Sequence, residues 1–369
     1  MTTAAPPVTP APRGKVWQKL LLSLVPAAGI AWLMQSGSLP IFPKREELAR
    51  VVAGTIPLYV AVWAVMYFVR LSRWYWLLLP VQRVPFATVL RVGAVGLLAI
   101  ALLPFRMGEI VRPLLIRKPP KLTFWAASGT VGGERILDAF CVSALLLLGL
   151  HFAAPLAKLP NHIGTLPIHV EIVPRMAFVC SLLFATGCVV MGVFYFFRTF
   201  ARRVTETVVG LVSPRLAQWV AGKIEQMAEG LGFLSNARQA VPYLTATVAY
   251  WLLNAASFYI LARGCGLGSI GFWGATATMG VVALGILVPA TPGFFGAFQF
   301  AIYAGLAMYL APDVVIKAGS VYSFLGYALP IGLTMLAGLV ALAAKPSALL
   351  GITSGVAGSE NLAVTDPPS

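Results

Sequence analysis

The sequence predicts an all-α polytopic membrane protein with six spanning helices and two hairpins of broken helix, the hairpins being related as an inverted repeat. The chain of 369 residues is 59% hydrophobic and only 11% charged, whereas a soluble domain carries about 45–50% apolar and about 25% charged residues. Apolar segments of about 20 residues, the length that a bilayer core requires, recur along it. Two further apolar segments are interrupted by proline and glycine. The composition excludes a water-soluble globular enzyme.

Six segments are long and apolar enough to be predicted as spanning helices, and the first is interpreted as uncleaved because no small-residue cleavage site follows it. They are Val16–Gln35, Val51–Arg70, Phe124–Leu150, Ala177–Phe197, Leu244–Ala262 and Gly319–Ala344. Residues 1–15 and 346–369 are predicted to be disordered tails, because they are rich in small, polar or proline residues. Residues 16–345 are therefore expected to form a single transmembrane domain.

Each hairpin is predicted to have two helical arms around a tip that proline and glycine break. The first contains Val92–Leu103 and the tip Pro-Phe-Arg-Met-Gly-Glu, and the second contains Phe272–Val288, the tip Pro-Ala-Thr-Pro-Gly and Phe294–Ala311. The strings Ala-Leu-Leu-Pro-x-x-x-Gly and Ile-Leu-Val-Pro-x-x-x-Gly align, ending at Gly108 and Gly293. Hairpins that enter from opposite sides are typical of an inverted-topology repeat. Chance similarity of short strings is the alternative, and whether the second hairpin crosses the bilayer is open.

The distribution of Lys and Arg predicts the topology. With the N-terminus inside, seventeen of the 27 basic residues fall in inside stretches, Arg70 and Arg73 among them, and seven fall outside, as the positive-inside rule requires. Both termini are therefore expected on the cytoplasmic side of the cell inner membrane. The net charge of +15 is attributed to anionic membrane lipids as partners and not to nucleic acid.

The segment 198–241 separates a first half, 16–197, from a second half, 242–345. Charged residues alternate there with apolar ones at helical spacing. One or two cytoplasmic amphipathic helices beside anionic headgroups are predicted. A linker helix that only joins the halves is an equal alternative.

Six ionisable residues fall at membrane depth, where each costs about 2.5–3.5 kcal/mol on insertion scales and therefore needs a partner or a function. They are Arg106, Glu109, Arg112, Glu134, Arg135 and Asp138. Side chains three residues apart on a helix can pair, which predicts the pairs Arg106–Glu109, Glu109–Arg112 and Arg135–Asp138. The six charges sum to zero, so a self-neutralising structural network is one interpretation.

The functional interpretation assigns these residues to substrate binding. Arg106 and Arg112 would present planar guanidinium groups to an anionic headgroup. Helix N-termini at Gly108 and Gly293 would add free N–H groups and a positive dipole end. The three carboxylates would hold the arginines in place or exchange a proton during transport.

The second tip is a further candidate binding region, because unpaired backbone at membrane depth must line a cavity or be covered by protein. Its candidate residues are Pro292, Gly293, Gly296 and Gln299. A kinked loop at the membrane surface is the alternative. No compact metal motif and no nucleotide-binding or hydrolase motif occurs in the sequence, so neither a cofactor nor a metal is expected.

The motifs Pro104-x-Arg-x-Gly-Glu-x-x-Arg112, Glu134-Arg-x-x-Asp138 and Pro292-Gly-x-x-Gly296 resemble, in this order, the flippase-like or lysylphosphatidylglycerol synthase transmembrane-domain family. The resemblance covers roughly residues 16–345 and implies a prokaryotic inner-membrane protein linked to movement of lipids between leaflets. Members that synthesise aminoacyl-lipids carry a soluble transferase domain, which is not expected after Ala344 here. The family often has Glu where this chain has Gln299, and Arg near Ser323.

The function predicted is a translocase for a lipid or lipid-linked anionic substrate, more a transporter than an enzyme. One alternative is a membrane transferase that acts on a phospholipid or polyprenyl phosphate, with Glu109 or Asp138 as base. Another is a membrane scaffold for a separate lipid-modifying enzyme. The identity of the lipid, the energy source and the oligomeric state are open.

Overall fold

A computed structural model of the chain describes the core of the predicted transmembrane domain. The described residues are 39–103, 106, 108–117, 121–153, 155–157, 159–162, 170–197, 199, 203–204, 206–208, 211, 213–287 and 292–344, with the single positions 29, 32 and 36. The predicted tails, and the span Val16–Gln35 apart from Gly29 and Trp32, lie outside them.

The described residues form twelve α-helices and contain no β-strand. They are α1 (Arg45–Leu48), α2 (Thr55–Leu78), α3 (Phe86–Leu102), α4 (Gly108–Ile116), α5 (Phe124–Phe152), α6 (Ile172–Phe196), α7 (Pro214–Glu229), α8 (Ala237–Gly264), α9 (Gly271–Gly285), α10 (Ala297–Ala307), α11 (Pro312–Ile316) and α12 (Ala318–Ala343).

Six helical stretches in this part of the chain are long and apolar enough to cross a membrane. They are Thr55–Leu78, Phe124–Phe152, Ile172–Phe196, Ala237–Gly264, Gly268–Gly285 and Pro312–Ala343. Five overlap predicted spans, and Gly268–Gly285 belongs to the first arm of the second hairpin. The prediction of an all-α polytopic membrane protein is confirmed.

The predicted end of the second span at Arg70 is wrong, because α2 continues eight residues further, to Leu78. Arg73, placed in a cytoplasmic loop by the sequence, is fully buried within this helix. Hydropathy ends an apolar segment at an arginine, because an isolated charge is costly in a bilayer. A buried arginine is tolerated inside a helix when carboxylates from a neighbouring helix pair with it. Here α5 provides those carboxylates, Glu134 and Asp138.

Both hairpins have two helical arms, α3 with α4 and α9 with α10. At the first tip the arms approach so closely that a Cβ on Gly108 would lie 2.6 Å from the carbonyl carbon of Ala99 and closer still to the nitrogen of Ile100. In the second hairpin a Cβ on Gly285 would lie 2.8 Å from the Cβ of Ala301. Glycine at these positions therefore allows each pair of arms to close.

Substituting Gly108 by alanine is expected to destabilise the protein by about 1–3 kcal/mol, because the added methyl group overlaps backbone that cannot move aside cheaply. The control is Gly132→Ala in the middle of α5, where a Cβ meets no atom within 4 Å. That change is expected to be neutral or to stabilise by about 0.5–1 kcal/mol, since alanine is the better helix former. Thermal denaturation in detergent compares the two, and equal midpoints would contradict the closed first hairpin.

In each half of the bundle, the helix that follows the hairpin packs against the hairpin of the other half. Helix α5, which follows the first hairpin, packs on α9 of the second, and α12, which follows the second hairpin, packs on α3 of the first. The helices before the hairpins, α2 and α8, pack on each other. This reciprocal arrangement is the one that an inverted repeat predicts, and it brings the two tips together between the halves.

Helix α7 is the described helix of the predicted amphipathic segment. Ser213 caps its first turn, since its Oγ accepts a hydrogen bond from the Leu216 nitrogen at 3.4 Å. Its alanine face is buried, while Leu216 and Trp219 are exposed. Its C-terminal end lies in a groove of α5, because a Cβ on Gly129 would overlap the Met227 carbonyl group. The helix therefore rests on α5 and presents a separate apolar flank.

Candidate functional site

A buried ion network begins at Arg73, whose side chain has 0% exposure. Its Nη1 and Nη2 donate to the two carboxylate oxygens of Asp138 at 2.5 and 2.6 Å. Nη2 also donates to Oε1 of Glu134 at 2.9 Å. Such a bidentate, charge-assisted pair is the strongest arrangement that these side chains offer. It joins α2 to α5.

Glu134, with 1% exposure, is the carboxylate that most of the network shares. Besides Arg73, it accepts hydrogen bonds from Arg112 on Oε2 at 2.9 Å and from Arg135 on Oε1 at 2.6 Å. Arg135 also lies 3.6 Å from Oδ2 of Asp138, as its i,i+3 spacing predicted. One carboxylate therefore connects α2, α4 and α5.

Aromatic side chains surround these charges. The guanidinium carbon of Arg112 lies 4.2 Å from the ring centroid of Trp74, and that of Arg73 lies 4.8 Å from the ring of Tyr250. The indole of Trp251 donates to Asp138 at 3.1 Å. The faces of aromatic rings stabilise cations in a site without water. Through Tyr250 and Trp251, α8 joins the network.

Arg106 forms the contact between the two tips. Its Nη2 donates to the carbonyl oxygen of Ile286 at 2.9 Å, at the C-terminal end of α9, where a cation complements the helix dipole. Its guanidinium also lies 5.1 Å from the ring centroid of Phe294. Arg106 and Phe294 are the two non-glycine residues of the described chain with positive φ, at 55° and 61°. Each tip thus carries one residue in a conformation that surrounding structure must hold.

Glu109 is less tightly held than the other carboxylates. Its Oε1 lies 3.6 Å from Nη1 of Arg106, and the two side chains are 24% and 21% exposed. The predicted Arg106–Glu109 pair is present. The predicted Glu109–Arg112 pair is wrong, because Arg112 turns towards Glu134, 22 residues away.

The second tip is organised by its own backbone. Gly293 and Gly296 have φ values of 60° and 85°, which L-residues with side chains rarely adopt. The buried Gln299 accepts a hydrogen bond from the Gly296 nitrogen at 2.7 Å and so caps the start of α10. A Cβ on Gly293 would lie 3.2 Å from the Ala101 carbonyl oxygen, so the tips touch here as well.

A cavity of about 420 Å³ lies between the two halves, beside the contacting tips. Its charged lining residues lie on α2, in the first tip, on α4 and on α5, and its other walls are aromatic and aliphatic. The charged residues are Arg70, Arg106, Glu109, Arg135 and Asp138, and the aromatic ones include Tyr59, Trp63, Tyr67, Tyr250, Trp251, Phe294, Phe298 and Tyr327. Concave, mostly apolar sites with a few polar groups are typical of ligand pockets.

The predicted site residues divide into two sets around this cavity. Arg106, Glu109, Arg135, Asp138 and Gly293 line it. Gly108, Arg112, Glu134, Gly296 and Gln299 do not, and they hold helices and tips in place; the side chain of Pro292 is outside the described part. Substrate binding by any of these residues stays a prediction.

Sequence reasoning missed two arginines of α2, Arg70 at the cavity and Arg73 in the network. The available signal was the run Val-Arg-Leu-Ser-Arg-Trp-Tyr-Trp-Leu-Leu-Leu, in which apolar residues continue on both sides of the charges. Tyr59, Trp63 and Tyr67 occupy the same helical face as Arg70, at spacings of three and four residues.

A comparison with protein families identifies one match. The family model described as the lysylphosphatidylglycerol synthase TM region matches residues 16–334. No curated protein and no solved structure matches the chain.

Proposed function

The chain belongs to the lysylphosphatidylglycerol synthase TM-region family of integral membrane proteins linked to lipid metabolism or transport, and from this premise we propose that it is a translocase for a lipid or lipid-linked anionic substrate. We place it, as part of the same proposal, in the cell inner membrane with both termini cytoplasmic. Anionic membrane lipids would then be its partners in the bilayer.

The observation that carries the proposal is the amphipathic cavity at the meeting point of the two tips. Guanidinium groups at one end suit a phosphate-bearing headgroup, and the aromatic and aliphatic walls suit the apolar part of a lipid. In transporters built from inverted repeats, broken helices place the substrate site between the repeats near the bilayer midplane. The cavity here is lined by residues of both halves, at the contacting tips, which supports the proposal.

Arg106 is the residue that would couple the headgroup to the tips. In the closed arrangement its Nη2 is engaged by the carbonyl oxygen of Ile286. An anionic headgroup competes for the same donor with a full negative charge, which makes the stronger hydrogen bond. Binding would therefore weaken the contact between the halves, which allows one repeat to move relative to the other.

Arg112, the other arginine that the sequence assigned to the headgroup, is unsuitable as a test of transport. It is buried against Glu134 and Trp74, and removal of one partner from a buried pair destabilises by about 3–5 kcal/mol. Loss of activity in Arg112→Ala would therefore reflect destabilisation of the fold and would not test a role of Arg112 in transport. The carboxylate that pairs with Arg106 is Glu109, whose side chain is 24% exposed, so the removal of Arg106 leaves no deeply buried carboxylate unpaired.

Leaflet exchange in proteoliposomes tests the proposal. The full chain is reconstituted with a fluorescent anionic phospholipid, and exchange is followed by quenching of the outer leaflet. Arg106→Gln is expected to slow exchange at least about tenfold, the equivalent of one charge-assisted hydrogen bond. The matched control is Arg83→Gln, which removes an exposed arginine outside the cavity. Wild-type exchange no faster than protein-free vesicles would reject the translocase.

The transferase alternative is favoured by one observation, the position of Glu109. It lines the cavity, and its ion pair among the described residues is the 3.6 Å contact with Arg106, which leaves the carboxylate accessible as a general base requires. Asp138 is less suitable, since both of its oxygens are held by Arg73. Incubation of the purified protein with labelled lipid donors would separate the two functions, because only a transferase forms a new lipid product.

A further inference from the structure

Arg70 stands out as a cavity-lining arginine without a carboxylate partner. It lies on α2 one turn before Arg73, and its guanidinium carbon is 5.6 Å from the ring centroid of Tyr250. No ion pair among the described residues involves it. A cation in a largely apolar cavity is costly unless an anion accompanies it, so the position calls for a charge that the protein does not provide.

Two other arginines line the same cavity as Arg70. They are Arg106 and Arg135, so three guanidinium groups of like charge share one cavity. These three residues come from α2, the first tip and α5, so their convergence is a tertiary feature. A shared anion would turn mutual repulsion into attraction.

The charge balance of the region indicates how much negative charge is absent. Five arginines, at positions 70, 73, 106, 112 and 135, accompany three carboxylates, at positions 109, 134 and 138, which leaves two positive charges. Only two of the 12 acidic residues lie outside the described residues, Glu360 and Asp366. Both belong to the C-terminal tail beyond the predicted transmembrane domain.

We propose that Arg70, Arg106 and Arg135 form a binding site for a dianionic phosphate group carried by a lipid, and that a lipid phosphomonoester is preferred over a phosphodiester. The inference rests on the proposed function for the lipid character of the ligand. Two excess positive charges are neutralised by a dianion and only half neutralised by a diester. Arg70 contacts the phosphate directly, because its guanidinium has no other anionic partner.

The experiment compares two lipids that differ by one methyl group. The full chain in phosphatidylcholine nanodiscs is titrated with phosphatidic acid at a pH above the second pKa of this lipid phosphate, where the phosphomonoester carries two negative charges. Phosphatidylmethanol with the same acyl chains carries one. We expect the monoester to bind about tenfold more tightly, as for one additional charge-assisted contact. Equal affinities would overturn the proposal.

Variants of Arg70 test whether this residue causes the preference for the phosphomonoester lipid. Arg70→Gln is expected to reduce phosphatidic acid affinity about tenfold and leave phosphatidylmethanol nearly unchanged, while Arg70→Lys keeps most of the preference. Arg83→Gln is the control and is expected to behave as the wild type. Elution as a monodisperse peak verifies folding of each variant. An unchanged preference in Arg70→Gln would contradict the assignment.

Two further outcomes separate this site from the function it serves. Inorganic phosphate is expected to compete for the site only at far higher concentration than phosphatidic acid. If the two competed equally well, the ligand of the site would be a phosphate group and not a lipid. A protein that prefers the monoester but exchanges no lipid between leaflets would retain the site and lose the translocase. If both lipids bound equally and exchanged at the same rate, the translocase would be retained and the monoester site would be lost.

Discussion

Replacing Glu134 by glutamine is expected to lower the free energy of unfolding by about 3–5 kcal/mol, the largest stability effect in the chain, because a buried ion pair that loses one partner leaves the other uncompensated. Here one carboxylate accepts from Arg73, Arg112 and Arg135. Among the described residues, Asp138 would remain paired with Arg73 and Arg135, while Arg112 would lose its carboxylate partner. Denaturant titration in mixed micelles measures the loss.

A double variant distinguishes lost pairing from a general packing defect. Arg112 has Glu134 as its carboxylate partner among the described residues, so Glu134→Gln with Arg112→Met removes both members of that pair. We expect the double variant to be more stable than the Glu134→Gln single variant by about 1–3 kcal/mol. Glu229→Gln, at an exposed position of α7, is the control. If the free energy of unfolding of Glu134→Gln equalled that of Glu229→Gln, the buried ion network would be contradicted.

Filling the cavity with an indole is expected to reduce leaflet exchange nearly to the rate of protein-free vesicles, the largest functional effect. Ala139 lines the cavity on α5, one residue after Asp138. In Ala139→Trp the added ring occupies space between the halves, and the charges of Arg106, Arg135 and Asp138 remain in place. A lipid headgroup cannot share that volume, because packed protein interiors leave few voids.

The control for this substitution is Leu148→Trp on the same helix, at an exposed position outside the cavity. It adds an aromatic ring to the lipid-facing surface and is expected to exchange lipid as the wild type does. Both variants should unfold at similar denaturant concentrations. Unimpaired exchange in Ala139→Trp would mean that the substrate does not pass through the cavity.

The sequence predicted features that depend on local patterns. Hydropathy identified five of the six spanning helices among the described residues. The positions of Pro104 and Pro289 predicted two broken hairpins whose arms α3/α4 and α9/α10 the structure contains. The i,i+3 pairs Arg106–Glu109 and Arg135–Asp138 are also present. Helical spacing makes Arg135 and Asp138 neighbours on α5, whereas Arg106 lies before the start of α4 and has a positive φ.

Features that depend on long-range packing were missed. Arg73 pairs with Asp138 across 65 residues, and Arg112 pairs with Glu134 across 22, which no local spacing reveals. A segment prediction ends at a charge because isolated charges are costly in a bilayer. That cost is offset here by carboxylates on another helix, so Arg70 and Arg73 were assigned to a loop.

A structure of the full chain in nanodiscs that contain phosphatidic acid tests the central claim most directly. The account predicts lipid density in the cavity between the tips, with phosphate oxygens within hydrogen-bond distance, about 2.7–3.2 Å, of Arg70, Arg106 or Arg135. It also predicts acyl density along Trp63 and Phe298. Phosphate confined to the lipid belt around the protein, with the cavity holding only water, would contradict it.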